Sequence, residues 1–276
     1  YLRIAKDGKL TTGLYTWTAD IAAPKLLNLT GDAADAVAAQ VAKLDEIRQT
    51  VVATSQVPLY VNDPVAVTAE GTPVRIVRNA ETNLGDLCAD AYRALSNADI
   101  AFVNGGGIRK QIEAGDITLD DIYSVHPFGN TMCVIRVTGQ QVLDALEWGA
   151  RAVPSENGGF LQVSGLTYEI HTGVASSAEK DENGMFTRVS GEYRVKNVMV
   201  GGQPLELDKT YTLASHNYML LNHGDGYTMF DGCEVLGEDM MIDNQVLITY
   251  ITTTLGGVVG EQYANPYGDG RIVAVE

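Results

Sequence analysis

The segment Ala98–Lys110, ADIAFVNGGGIRK, places the strongest constraint on the fold. A mainly apolar run without helical spacing reads as a buried strand, and three consecutive glycines, Gly105 to Gly107, must end it. Glycine admits positive φ and lets a ligand approach the main chain closely. Free N–H groups beside the Arg109 guanidinium would suit a phosphate. The pattern is neither a P-loop nor a dinucleotide fingerprint. Taken alone, it describes a flexible corner with a solvated arginine at least as well as an anion cradle.

Helical and extended patterns alternate around that strand. Residues 1–30 read as irregular structure or short strands, with a turn at Asp7-Gly8 and alternation over Leu14–Thr18. Thr30-Gly31-Asp32 precedes an Ala-rich amphipathic helix over Ala33–Val52, with Val37, Val41, Leu44 and Ile47 on one face. A strand is expected near Val74–Val77, then a helix over Thr82–Ser96 with Leu84, Leu87, Cys88, Ala91 and Leu95 on one face. Thr118-x-x-Asp121 opens a short helix, and Cys133–Val137 is a strand. Thr138-Gly-Gln-Gln141 is a capping box that starts a helix to about Arg151. Leu166–His171 and Val195–Val200 are strand candidates, and Asn244–Leu255 is a closing helix. The acidic Asp181-Glu-Asn-Gly184 lacks the ligand alternation of an EF-hand and reads as a hairpin turn.

Composition excludes several function classes. A formal net charge of −16 argues against a nucleic-acid partner, because phosphate neutralisation drives that binding. A small phosphorylated ligand needs only a few well-placed arginines. No apolar run approaches the ~20 residues of a membrane span. The 3 cysteines, Cys88, Cys133 and Cys233, are widely spaced and form no Cys-x-x-Cys, so reduced thiols are expected rather than a zinc site or disulfide framework. The chain opens at Tyr1 without a signal-like segment and is expected to be a mature or excised fragment.

Thr82-Asn-Leu-Gly-Asp86, Asn104-Gly-Gly-Gly-Ile-Arg109, Pro127-Phe-Gly129, Gly159-Phe-Leu-Gln-Val-Ser-Gly165 and Gly224-Asp-Gly-Tyr227 occur in this order. Together they resemble the C-terminal domain of the 5′-nucleotidase family, from about Pro58 to the chain end. The resemblance implies an α+β fold of mixed β-sheets flanked by helices, in which the C-terminal domain grips the nucleoside. It also implies that residues 1–32 are a remnant of an N-terminal metallophosphatase domain, 33–54 a linker helix and 55–276 the nucleotide-binding domain. In that family two divalent metal ions in the N-terminal domain perform hydrolysis, and they require clustered His, Asp and Asn ligands. The 4 histidines here, His126, His171, His216 and His223, show no such motif, so no metal ligand and no catalytic residue is expected in this chain. Asn222-His-Gly-Asp225 falls instead on the family's Gly-Gly-Asp-Gly loop, with His223 in place of the first glycine.

The same resemblance assigns roles. Arg109 faces the phosphate or ribose side, where a guanidinium presents forked donors to oxygens. Gly106 and Gly107 admit the ligand against the backbone, and Asn104 hydrogen-bonds the base. Arg78 is the second substrate arginine, with Arg75 competing for that place. Phe128 is one of two aromatics that sandwich the base, since every base offers a π-face. Tyr218 is the second, unless Met219 takes the position, and Asp225 accepts from ribose hydroxyls. The bland alternatives are a salt bridge for Arg109, turn-stabilising side chains for Asn104 and Asp225, and core packing for Phe128.

The expected partners are a nucleotide or nucleoside and the N-terminal catalytic domain. The resemblance implies an extracytoplasmic location: periplasm, cell wall or secretion. It leaves open a 2′,3′-cyclic-nucleotide phosphodiesterase/3′-nucleotidase, a UDP-sugar hydrolase, and a surface binding or adhesion module that does not catalyse.

Overall fold

The computed structural model describes residues 2–4, 10–12 and 32–276. The turn at Asp7-Gly8, the Leu14–Thr18 stretch and most of the irregular opening expected over residues 1–30 lie outside these residues. The chain divides into two units, Tyr1–Ile47 and Arg48–Glu276. In the first, Leu2–Ile4 pairs antiparallel with Leu10–Thr12, and a helix begins at Asp32. Its apolar stripe, Val37, Val41, Leu44 and Ile47, is exposed.

That helix ends at Arg48, short of the expected Val52, and Val51–Ser55 is a strand. The run Thr50-Val-Val-Ala-Thr54 is rich in β-branched residues, whose stiff side chains suit a pleated surface better than a helix turn. It pairs antiparallel with Gly115–Thr118 and parallel with Val258–Val259.

The second unit is α+β, as expected. Its main sheet has five strands in the order Glu234–Gly237, Met132–Thr138, Thr210–His216, Ile100–Asn104, Leu161–Ser164. Thr210–His216 runs parallel to Ile100–Asn104 and antiparallel to Met132–Thr138, so the sheet is mixed. Ile100–Asn104 is buried at every position because it separates two cores. Ala101 and Val103 face Leu84, Leu87, Cys88 and Tyr92 of the Asn83–Ser96 helix. Ile100 and Phe102 face the core that includes Val142, Ala145, Leu146 and Trp148 of the Gly139–Ala150 helix. The period of two thus loads both faces with apolar side chains.

The predicted helix starts are built as read. Thr82 accepts from the Gly85 N–H at 3.0 Å, and Asn97 closes that helix in the left-handed conformation. Thr118 with Asp121, and Thr138 with Gln141, form reciprocal capping boxes. All three cysteines are free, two of them buried. The Asp181–Gly184 stretch closes a small hairpin between Ala178–Lys180 and Phe186–Val189.

The last strand, Ile272–Val275, joins Leu166–His171 in a second sheet, and Arg271 ties it down. The Arg271 guanidinium donates to both Asp90 oxygens at 2.7 and 2.9 Å, to Asp269 at 2.9 Å and to the Val163 carbonyl at 2.9 Å. Asp86 lies 3.6 Å away. Burial pushes the Asp86 carboxyl well above its ordinary range, Arg271 opposes this, and neighbouring Glu81, Asp269 and Asp90 add to it. Removing the one cation leaves several carboxylates facing each other in a buried place. Arg271→Leu is therefore expected to cost about 3–5 kcal/mol, the usual penalty for breaking a buried pair. Urea unfolding reads this as a lower midpoint at unchanged slope. A loss under about 1 kcal/mol would show that the cluster adjusts without Arg271.

Candidate functional site

The strand register explains where a site forms. Ile100–Asn104 and Thr210–His216 are parallel and end at the same edge of the sheet, at Asn104 and His216. The antiparallel neighbours begin there: Leu161 pairs with Asn104, and Met132 with His216. Loops that follow the first two strands therefore meet loops that precede the other two. Ligands in open sheets of this kind gather outside the carboxyl ends of parallel strands.

A cavity of about 500 Å³ lies at this edge, lined by Arg78, Asn104, Gly106, Gly107, Arg109, Phe128, Asn130, Gly158, Tyr218 and Asp225. All eight residues singled out in the sequence are among them. Asn130 and Gly158 were not anticipated. They stand two and three residues before the strands that start at Met132 and Leu161, and the flanking Pro-Phe-Gly and Gly-Phe-Leu-Gln motifs were the signal for both.

The two open alternatives separate by burial and pairing. Met219 is fully buried in the core, whereas Tyr218 is 39% exposed and faces the cavity. Tyr218's ring lies against Gly224, where an added Cβ would stand 2.4 Å from it. Arg75 pairs with Glu156 at 2.7 Å on the surface. Arg78 lines the cavity, and its buried Nε has no hydrogen-bond partner. Burial, then the charges of Arg75 and Arg109, lower the Arg78 pKa.

The glycine turn differs from its expected basis. Gly105–Gly107 is a 3-10 turn, and none of the three has positive φ. Glycine is needed there because the protein itself crowds the positions. A Cβ on Gly105 would lie 2.1 Å from the Val77 carbonyl oxygen, and one on Gly106 2.9 Å from that of Gly158. The Gly105 and Gly106 N–H groups donate to the Phe160 and Gly158 carbonyls, each at 2.7 Å, so those two are not free for an anion. The positive charge comes from Arg109, whose guanidinium donates to the Gly106 carbonyl at 3.3 Å and sits 5.8 Å from the Phe128 ring centre. Phe128 is 59% exposed, an aromatic face open to the cavity.

Below the turn lies a buried polar layer. Asn104 donates from Nδ2 to Asp225 Oδ2 at 2.6 Å, and the Tyr218 hydroxyl donates to Asp225 Oδ1 at 3.2 Å. Trp148 Nε1 donates to the Asp225 carbonyl at 2.9 Å, which fixes the loop whose Asp225 has a φ of 54°. His216 Nε2 stands 3.0 Å from Asn104 Oδ1. His126 hydrogen-bonds the Gly107 backbone. Burial drives both imidazoles down, His126 to about 4 and His216 to about 3, so both rings are neutral at physiological pH.

Among the described residues, one trio of carboxylates, Glu81, Asp86 and Asp269, brings oxygens within 4.8 Å of one another. Arg271 already sits among them, and none of the three lines the cavity. The four histidines are engaged separately: His171 with Glu169, His223 with Asp231, His216 with Asn104 and His126 with the Gly107 backbone. They do not fit a two-metal centre.

Residues 51–232 match the family model described as 5′-nucleotidase, C-terminal domain. The trifunctional nucleotide phosphoesterase protein YfkN of Bacillus subtilis is 36% identical over 203 residues, covering 72% of this chain and 13% of that protein. A 5′-nucleotidase of Vibrio parahaemolyticus is 35% identical over 178 residues, 64% of this chain and 28% of that one. The crystal structure of a 5′-nucleotidase precursor from Thermus thermophilus superposes with a TM-score of 0.69 at 30% identity, covering 88% of this chain and 43% of the other. The chain thus spans less than half the length of each of these relatives.

The neutral histidines make stability depend on pH. Their folded pKa values lie below the ordinary 6.5, so the contribution is complete above pH 6.5 and is lost as pH falls toward 4 and 3. Asp243, raised to about 6 by burial, acts in the opposite sense, so a variant comparison isolates the effect. His126→Gln should be less stable than the parent at pH 8, with the deficit shrinking by about 1.4 kcal/mol per pH unit between pH 6 and 4.5. Urea titrations across that range measure it, and a pH-independent deficit would contradict a neutral buried His126.

Proposed function

The chain belongs to the family of 5′-nucleotidase C-terminal domains, and from that premise we propose that it is the substrate-binding part of a metal-dependent hydrolase acting on nucleoside 5′-phosphates. The observation that carries this reading is the convergence of Arg78, Asn104, Arg109, Phe128, Tyr218 and Asp225 on one cavity. In the proposed complex the base lies against Phe128, with Tyr218 as the second aromatic wall. The sugar meets Asp225 and, since the Asn104 amide is bound to that carboxylate, Asn104 as well, in place of the base contact expected for Asn104 from the sequence. The phosphate side turns toward Arg109 and Arg78. Each element suits its partner chemically: π-faces stack, a carboxylate accepts from hydroxyls, and guanidinium forks match phosphate oxygens.

The hydrolytic step is assigned to a separate catalytic domain of the full protein, where two divalent metal ions would polarise the phosphoryl group and activate water. This chain's histidines do not supply such a site, so its own residues bind and orient. An extracytoplasmic location is proposed on the same family ground. The named relatives act on nucleotides, and transfer of that activity to the whole protein is part of the proposal.

Affinity should be weak. Stacking on one aromatic contributes ~1–3 kcal/mol, and a hydrogen bond to a charged group about 1.5–3 kcal/mol. Several kcal/mol of lost ligand freedom opposes them. Millimolar binding of AMP, on the order of −4 kcal/mol, is expected by ligand-observed NMR. Phe128→Ala should weaken adenosine and AMP alike, because both present the same ring. Arg109→Ala should weaken AMP more than adenosine. Unchanged AMP binding in both folded variants would refute the site. With AMP and added Mn²⁺, the purified chain should release no phosphate above a blank, and robust turnover would refute the division of labour.

A further inference from the structure

The polar layer under the cavity has a direction at every link. A carboxylate only accepts, so the Asn104 atom 2.6 Å from Asp225 Oδ2 is the amide nitrogen. Asn104 Oδ1 therefore faces His216, and the His216 Nε2 at 3.0 Å carries the proton. The other ring nitrogen, Nδ1, is buried and has no hydrogen-bond partner. This fixes the tautomer. Moving the proton to Nδ1 would leave a buried donor unsatisfied, which is costly in a site closed to water.

We propose that His216 is a positioning residue: its Nε2–H, acting with the Asp225 carboxylate at the other end of the amide, holds Asn104 in one of its two orientations, so that the cavity meets an N–H donor beside the Asp225 carboxylate. The inference rests on the nucleoside reading of the cavity and adds what selects the ligand there. An amide nitrogen has two hydrogens, and the protein engages one of them. Side by side, a donor and an acceptor are both satisfied by a hydroxyl, which accepts from Asn104 and donates to Asp225. With the amide reversed, Oδ1 would face the carboxylate, two acceptors would repel, and an ammonium or amine would fit better than a hydroxyl. His216 thereby sets the class of group bound beside Asp225. It touches no ligand itself, because it lies beneath Asn104, with its ring 5.9 Å from that of Tyr218.

Two measurements test this. Long-range ¹H–¹⁵N spectra of the ¹⁵N-labelled chain should show His216 as the neutral Nε2–H tautomer from pH 8 to pH 5. An Nδ1–H tautomer, or an imidazolium in that range, would overturn the assignment without any variant being made. The second measurement compares adenosine with 2′,3′-dideoxyadenosine by NMR titration in the parent, His216→Leu and His216→Gln. The parent should prefer adenosine by about tenfold, one hydrogen bond's worth. His216→Leu should lose most of that preference while still binding the dideoxy ligand as the parent does. His216→Gln, whose amide can again donate to Asn104 Oδ1, should recover much of it. A full preference in His216→Leu would overturn the proposal. Should the parent bind neither nucleoside, the nucleoside reading fails, and the spectrum alone decides whether His216 holds the amide.

Discussion

No side chain fits at the end of the Ile100–Asn104 strand, and the rest of the site follows from that exclusion. A Cβ on Gly105 would come within 2.1 Å of the Val77 carbonyl, and one on Gly107 within 2.7 Å of Asn104 Oδ1. Because Gly105 and Gly106 carry none, the Val77–Arg78 segment and the Gly158 loop close on the turn. Arg78 is delivered to the cavity by this contact: its carbonyl accepts from the Asn157 N–H at 2.9 Å, one residue before Gly158. Steric vacancy in the backbone is thus converted into proximity of charged side chains far apart in sequence.

The same corner resolves an apparent conflict in charge. The chain carries a formal −16, yet its cavity gathers Arg78 and Arg109. Arg75 is held aside by Glu156, and one of the two cavity arginines lies partly desolvated. Screening confines a surface charge to about a Debye length, roughly 8 Å at physiological ionic strength. Local arrangement therefore decides what a small anion meets at this edge. Elsewhere the acidic excess is balanced from within, as Arg271 does among Asp86, Asp90 and Asp269.

Much of this was legible in the sequence because the signals were local. Capping boxes at Thr118 and Thr138 bind residues three positions apart, and the helix faces follow a short period. The central strand Thr210–His216 was not read as a strand. Its Thr210, Thr212, Ser215 and His216 look polar, and only the neighbours on both sides bury its Leu213 and Ala214 completely. The reason for the glycines was also hidden, since Val77 and Gly158 lie far from them along the chain. Tyr218 and Met219 could not be separated by spacing to Asp225. Adjacent positions of a helical turn point about 100° apart, and which one faces inward depends on the core, here closed over Met219.

His223 and Asp225 both take left-handed backbone, with φ of 55° and 54°, although neither is glycine. Such a conformation costs a side-chain-bearing residue on the order of 1 kcal/mol. Glycine at either position would relieve that backbone strain. At Asp225 that relief would remove the acceptor that orients Asn104 and Tyr218. Relaxing this loop would therefore erode ligand selection first, and a variant that folds well but binds nothing is the outcome to guard against.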